Sequence, residues 1–99
     1  MCGDVVNIRR VLLDVDKALG IPSILEIAEA IEGVAGVEGA NITVTEIDAE
    51  TVGMEITVEG DQIDFAALER AIVRAGAALH SVDELVVGSR TVERVPRSR

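Results

Sequence analysis

Two stretches in the middle of the chain alternate between apolar and polar residues. Residues 40–47 and 52–59 both show this period of two, which is typical of strands with one buried face. Residues 48–51 between them read Asp-Ala-Glu-Thr, which favours a turn. The pattern therefore predicts a β-hairpin. Its expected core-facing side chains are Ile42, Val44, Met54, Ile56 and Val58, with Thr43, Thr45 and Ile47 on the opposite face of the first strand.

Two other stretches repeat apolar residues at helical spacing. The first predicted helix begins near Ser23, where Glu26 completes a capping box, and ends near residue 33 or 36. The second runs from its N-cap Asp64 to residue 75 and stops at Gly76. Their apolar stripes consist of Ile24, Ile27, Ala28 and Ile31 in the first helix and of Phe65, Leu68, Ile72 and Ala75 in the second.

Strands are expected at both ends of this unit. They cover residues 7–15 and 77–82, and the apolar segment 85–87 continues the last strand or starts an extension. Right-handed crossovers around the hairpin then predict an antiparallel sheet of order 4-1-3-2 with both helices on one face. This is the ferredoxin-like α+β sandwich. Residues 1–89 are expected to form it as a single domain, and the Arg-rich residues 90–99 to form a mobile tail.

The charge of the chain is divided unevenly. Residues 1–89 carry 17 acids and 5 bases, whereas residues 90–99 carry four arginines and one glutamate. The acidic body argues against binding to nucleic acid or to anionic membranes, and it favours cations or basic partners. No apolar run approaches the roughly 18 residues of a membrane span. Cys2 is the only cysteine, so no intramolecular disulfide is possible, and a cytoplasmic location is expected.

Three functions common to this fold lack their required residues. Acylphosphatase chemistry needs a Gly-rich phosphate loop after the first strand, and a copper chaperone needs a C-x-x-C pair there. An RNA-recognition motif needs aromatic side chains on the sheet, but Phe65 is the only aromatic residue and lies in a predicted helix. A ligand-binding regulatory module stays open, because such modules bind through backbone at subunit interfaces.

Two segments resemble an archaeal family known as domain of unknown function 211. They are GVEGANITVTEIDAET over residues 36–51 and GAALHSVDELVVG over residues 76–88, with DFAALERAI and IRRVLLDV also fitting. The resemblance implies a cytosolic ferredoxin-like protein with a tendency to form ring-like homo-oligomers, and it implies no particular activity. The Arg-rich tail departs from the family, whose members tend to be shorter or more acidic there.

Acidic residues are predicted to converge at one end of the sheet. The first two strands run parallel, so their carboxyl ends lie at the same edge, where Lys17 is the basic residue. Carboxylates there could bind Ca²⁺ or Mg²⁺, since both cations take oxygen ligands. The alternative is a solvated acidic surface. The candidate metal ligands are Asp14, Asp16, Glu46, Asp48 and Glu50.

The last strand supplies candidate ligand or interface residues, namely His80, Ser81, Asp83 and Glu84. His80 is either an ordinary surface residue or a ligand or pH-sensitive group. The preferred hypothesis is a non-enzymatic homo-oligomer that binds a small ligand or a divalent cation, with residues 81–88 at the subunit interface. The alternatives are a purely structural self-assembling protein and an enzyme with an inter-subunit site near His80.

Overall fold

A computed structural model describes residues 6–96 of the 99-residue chain. Six elements follow one another in the order βαββαβ. The strands are β1 (Ile8–Ala18), β2 (Val37–Ile47), β3 (Thr51–Gly60) and β4 (Ala78–Val87), and the helices are α1 (Ile24–Glu32) and α2 (Phe65–Arg74).

The four strands form one antiparallel sheet in the order β2-β3-β1-β4. This is the predicted order read from the opposite edge, and the ferredoxin-like fold is confirmed. β1 and β3 occupy the centre, and β2 and β4 are the two edge strands. β1 ends three residues later than predicted, β2 begins three residues earlier, and β3 is one residue longer at each end, because strand pairing continues there.

The core lies between the sheet and the two helices. Val11, Leu13 and Val15 of β1 are fully buried, as are the α1 and α2 side chains that face them. Two expected core residues differ: Val44, on the edge strand β2, is 37% exposed, and Ile24, the first residue of α1, is 38% exposed. The other fully buried core side chains are Ile27, Ile31, Met54, Ile56, Val58, Leu68 and Ile72.

Local capping chemistry fixes the ends of both helices. The Ser23 hydroxyl accepts a hydrogen bond from the Glu26 amide, and the Glu26 carboxylate accepts one from the Ser23 amide, as a capping box requires. Asp64 caps α2 through the Ala67 amide at 3.1 Å. Gly76 follows α2 with a φ of 102°, a left-handed conformation that favours glycine.

Irregularities in the edge strands change which side chains share a face. A register shift between Val44 and Glu46 places Glu46 opposite Gly53 and Ile47 opposite the buried Val52. Ile47 therefore lies on the helix side of the sheet, contrary to the prediction. β4 is one strand rather than two pieces. It contains two further shifts, which leave His80 and Asp83 without a partner on β1.

Candidate functional site

The sheet face that the helices leave uncovered carries most of the candidate polar residues. Strand register arranges this helix-free face in rows that cross β2, β3, β1 and β4 in turn. Two rows at one end of this face are rich in carboxylates. We call these carboxylates the acidic patch. The acidic patch consists of Asp14, Asp16, Glu46 and Glu55.

Like charges face one another within the acidic patch. Asp14 of β1 is directly opposite Glu55 of β3, and side chains in such positions have Cβ atoms about 5 Å apart. Asp16 and Glu46 lie on either side of Gly53, whose missing side chain leaves room between them. Adjacent like charges on a sheet are destabilising. The acidic patch therefore attracts cations by its composition and its placement.

Glu55 was not among the residues proposed from the sequence. The antiparallel register of β1 and β3 pairs it with Asp14 across 41 positions of the chain. This pair can be found only when the register between β1 and β3 is known, and these strands are not neighbours in sequence. Lys17, expected as the basic residue at this edge, does not lie among the carboxylates of the acidic patch either. It lies opposite the core residue Val52 and is buried on the helix side, where its Nζ donates to the Ala18 carbonyl at 3.0 Å.

Two of the predicted metal ligands lie in the β2–β3 turn rather than on the acidic patch. Asp48 Oδ1 accepts hydrogen bonds from the amides of Glu50 and Thr51 and from the Thr51 hydroxyl, at 2.9–3.0 Å. These bonds, led by that from the Glu50 amide, lower the pKa of the Asp48 carboxyl. The Glu50 carbonyl accepts from the Leu19 amide at 3.2 Å. Asp48 is thus engaged in holding the turn.

Geometry limits the patch as a metal centre. Within residues 6–96, no group of three or more His, Cys, Asp or Glu side chains is arranged so that it could hold a metal ion. The acidic patch of one chain therefore does not fit a Ca²⁺ or Mg²⁺ ion, which takes six or more oxygen ligands when fully coordinated.

The candidate residues of β4 surround its two irregularities. His80 is exposed, and its Nε2 lies 3.8 Å from Asp16 Oδ2, so the start of β4 does reach the acidic patch. The Ser81 hydroxyl donates to Asp83 Oδ1 at 2.9 Å rather than to a histidine. Glu84 turns toward the other end of the helix-free face, where its carboxylate lies 3.6 Å from Arg10.

Arg10 forms the second polar cluster of the helix-free face. Its Nε donates to Glu59 at 2.8 Å, and its two terminal nitrogens donate to both carboxylate oxygens of Glu93, at 3.1 and 2.9 Å. The hydrogen bond from Arg10 lowers the pKa of Glu93, and the same contacts raise that of Arg10. Because Glu93 follows Arg10 by 83 positions, no local sequence signal indicated this contact.

The free edge of β4 is apolar on its helix side. Val82 lies opposite Leu13, and Leu85 lies opposite Val11, so both side chains point to the side of the sheet that holds the core. Nevertheless Leu85 is 54% exposed, and Val82 and Val87 are each 43% exposed. We call these three residues the apolar edge.

The concave surfaces elsewhere include one of about 340 Å³ beside β2 and β3, lined by Glu38, Gly39, Ala40, Asn41, Thr57 and Glu59.

Comparison with known proteins gives the chain a family. Residues 9–99 match the sequence model of DUF211, described as "Uncharacterized ArCR". The chain belongs to this archaeal family. The uncharacterized protein MJ0319 of Methanocaldococcus jannaschii is 38% identical over 95 residues, which span 94% of this chain and 97% of that protein. The DUF211 match includes both β4 and the Arg-rich tail. In the part of the chain that the structure describes, no helix is long and apolar enough to cross a membrane.

Proposed function

We propose that this DUF211 protein is a non-enzymatic cytoplasmic module that assembles with copies of itself through β4 and binds its ligand in the assembled state. The observation that carries the proposal is the apolar edge, Val82, Leu85 and Val87, which lies beside the unpaired backbone of an edge strand. An exposed strand edge with apolar side chains is a template for pairing with another chain. Covering it would remove both the apolar surface and the free backbone groups from water.

The order of residues along β4 suits a second copy of the same strand. An antiparallel pair with its two-fold axis at Val82 would place Leu79 opposite Leu85 of the second copy, and His80 opposite Glu84 of the second copy. Leu79, Val82 and Leu85 all lie on the helix side of the sheet, so the paired side chains would share one face. The irregularities at His80 and Asp83 interrupt the edge, so side-chain packing would contribute more than a backbone ladder.

Contacts around His80 support the non-enzymatic part of the proposal. A serine nucleophile needs a neighbouring base able to take its proton, typically a histidine, and Ser81 instead donates to the weakly basic carboxylate of Asp83. His80 faces Asp16. In the alternative, an enzyme site between subunits, the reacting groups would have to come from the second copy. A pure scaffold is the other alternative, and it would assemble without binding anything.

A pair of substitutions tests the interface. Leu85→Asp places a charge in the apolar edge, whereas Ile47→Asp places one on the other edge strand at a residue that is 67% exposed. We expect Leu85→Asp to sediment as a monomer and Ile47→Asp to keep at least a pair of chains. Analytical ultracentrifugation at micromolar concentration measures both. If Leu85→Asp assembles like the unmodified protein, or if only Ile47→Asp dissociates, β4 is not the interface.

The acidic patch favours a divalent cation as the ligand. Since one chain does not supply a full ligand set, we expect Ca²⁺ or Mg²⁺ to bind where assembly adds groups from a second copy, as His80 and Asp16 lie near the β4 edge. Calorimetric titration in high monovalent salt should then show saturable binding by the assembled protein. Asp14→Asn combined with Glu55→Gln should abolish it without reducing the stability of the cation-free protein, because the change removes a like-charge pair.

The same titration separates the alternatives. Glu69→Gln removes a carboxylate from α2 and serves as the matched control, which should bind as the unmodified protein does. Absence of saturable binding up to millimolar Ca²⁺ and Mg²⁺ would leave the acidic patch as a solvated surface and would favour the scaffold. Equal binding by the monomeric Leu85→Asp variant would show that assembly plays no part in the site.

A further inference from the structure

The C-terminal segment returns across the sheet instead of leaving it. After β4, the Gly88 amide donates to the Asn7 carbonyl at 2.9 Å, and Gly88 adopts a φ of 107°. A backbone of this conformation redirects the chain and favours glycine. Five residues later, Glu93 meets Arg10, which belongs to β1 in the middle of the sheet. Residues 89–96 therefore start at the edge strand and reach over the helix-free face.

One buried side chain on that face needs a cover. Val86 lies opposite Arg10 on β4 and so belongs to the helix-free face, outside the hydrophobic core. It is nevertheless only 6% exposed. The helices lie on the other side of the sheet and cannot shield it. The Arg10 side chain, directly opposite it on β1, is placed to do so.

The contact that fastens the segment is specific in geometry. The guanidinium group of Arg10 holds both carboxylate oxygens of Glu93 in a fork, while Glu59 and Glu84 of the neighbouring strands flank it at 2.8 and 3.6 Å. A fork of this kind recognises a carboxylate by shape as well as by charge. Glu93 itself is largely exposed, and exposed ion pairs are weak and are screened by salt. Such a fastening can open.

We propose that residues 89–96 form a strap over the helix-free face, closed by Glu93 on Arg10, which shields the Arg10 guanidinium group and opens at high ionic strength. The open strap exposes that group, still flanked by Glu59 and Glu84, beside the apolar side chain of Val86. The strap is independent of the β4 interface proposed above.

Trypsin cleavage after Arg90, followed by mass spectrometry, measures how often the strap is open. Glu93→Gln removes the charge from the strap, and Arg10→Lys keeps the positive charge of β1 but loses the fork, with the strap sequence unchanged. We expect both variants to be cleaved roughly two- to fivefold faster than the unmodified protein, in line with the strength of an exposed ion pair. Glu69→Gln on α2 should be cleaved at the unmodified rate.

Two further comparisons complete the test. The Glu93→Gln substitution could itself change how fast trypsin cuts the tail sequence. The cleavage rate of each protein is therefore divided by that of a synthetic peptide with the same tail sequence. Salt at about 1 M should accelerate cleavage of the unmodified protein and leave Glu93→Gln unchanged, since that variant has no ion pair to screen. The strap is refuted if Arg10→Lys is cleaved at the unmodified rate. It is also refuted if Arg10→Lys is cleaved faster and Glu93→Gln is not, because the effect would then come from a change within the sheet.

Discussion

Asp48 shows how one carboxylate can be committed to structure in a strongly acidic protein. Its Oδ1 accepts three hydrogen bonds within the β2–β3 turn, and its own amide donates to the Thr51 carbonyl. These bonds close the hairpin and hold β2 in register with β3. Another carboxylate two positions earlier, Glu46, contributes to the acidic patch instead. Neighbouring acids thus have separate roles that their charges alone do not distinguish.

The lowered pKa of Asp48 makes the turn sensitive to acid. A carboxyl whose pKa is lower in the folded state stabilises the fold above its unfolded pKa, and this contribution is lost as the pH falls through the folded value. Asp48→Asn should therefore lower Tm at neutral pH, and the difference from the unmodified protein should shrink toward about pH 2. Thermal unfolding followed by circular dichroism at both pH values measures the difference.

Removal of a negative charge also relieves general repulsion in this protein, so the experiment needs a control. Glu50→Gln removes a carboxylate from the same turn without touching the hydrogen bonds to Asp48 Oδ1. Its effect on Tm gives the contribution of repulsion alone. A difference between Asp48→Asn and Glu50→Gln that stays constant with pH would contradict the role assigned to Asp48.

At the scale of elements, α2 offers a clean contrast between two faces of one helix. Leu68 is fully buried against the sheet, whereas Val73 is 57% exposed on the outer side. Leu68→Ala should lower the free energy of unfolding by about 2–5 kcal/mol, because it removes buried methyl groups and leaves a cavity. Val73→Ala should change it by less than about 0.5 kcal/mol. Urea unfolding at one protein concentration measures both, and similar losses would contradict the assigned core.

Elements whose signals are local were predictable from the sequence. The caps at Ser23 and Asp64 depend on residues three positions apart, and the alternation of β3 needs no partner to be read. The order of the sheet followed from the handedness of crossovers. These local signals and the handedness rule together predict the ferredoxin-like fold.

Features that depend on pairing between distant strands were not predictable. The shift at Thr45 turns Ile47 to the helix side and brings Glu46 beside Gly53, and no residue type there announces it. The shifts in β4 likewise set His80 and Asp83 apart from β1. The Arg10 cluster joins residues from β1, β3, β4 and the tail. Three of the four acidic-patch residues, Asp14, Asp16 and Glu46, were among the candidates named from the sequence, whereas Glu55 was missed and Asp48 and Glu50 lie in the turn.

At the scale of the whole molecule, charge and apolar surface are separated. The acidic patch lies on the helix-free face, whereas the apolar edge lies on the helix side of β4. Self-association through β4 would bury the apolar edge and bring groups from a second copy nearest to Asp16 and His80, whereas Glu55 and Glu46 of the acidic patch lie farther away on β3 and β2. This arrangement connects assembly with ligand binding in our proposal and accounts for both the apolar β4 edge and the acid excess.

The molar mass of the unmodified protein in solution tests this account most directly. One chain has a mass of 10.5 kDa. Multi-angle light scattering during gel filtration, at micromolar concentration and in high monovalent salt to screen repulsion, should give a whole-number multiple of this mass, at least twofold. A value of one chain mass across that concentration range would contradict assembly through β4 and, with it, the central claim about function.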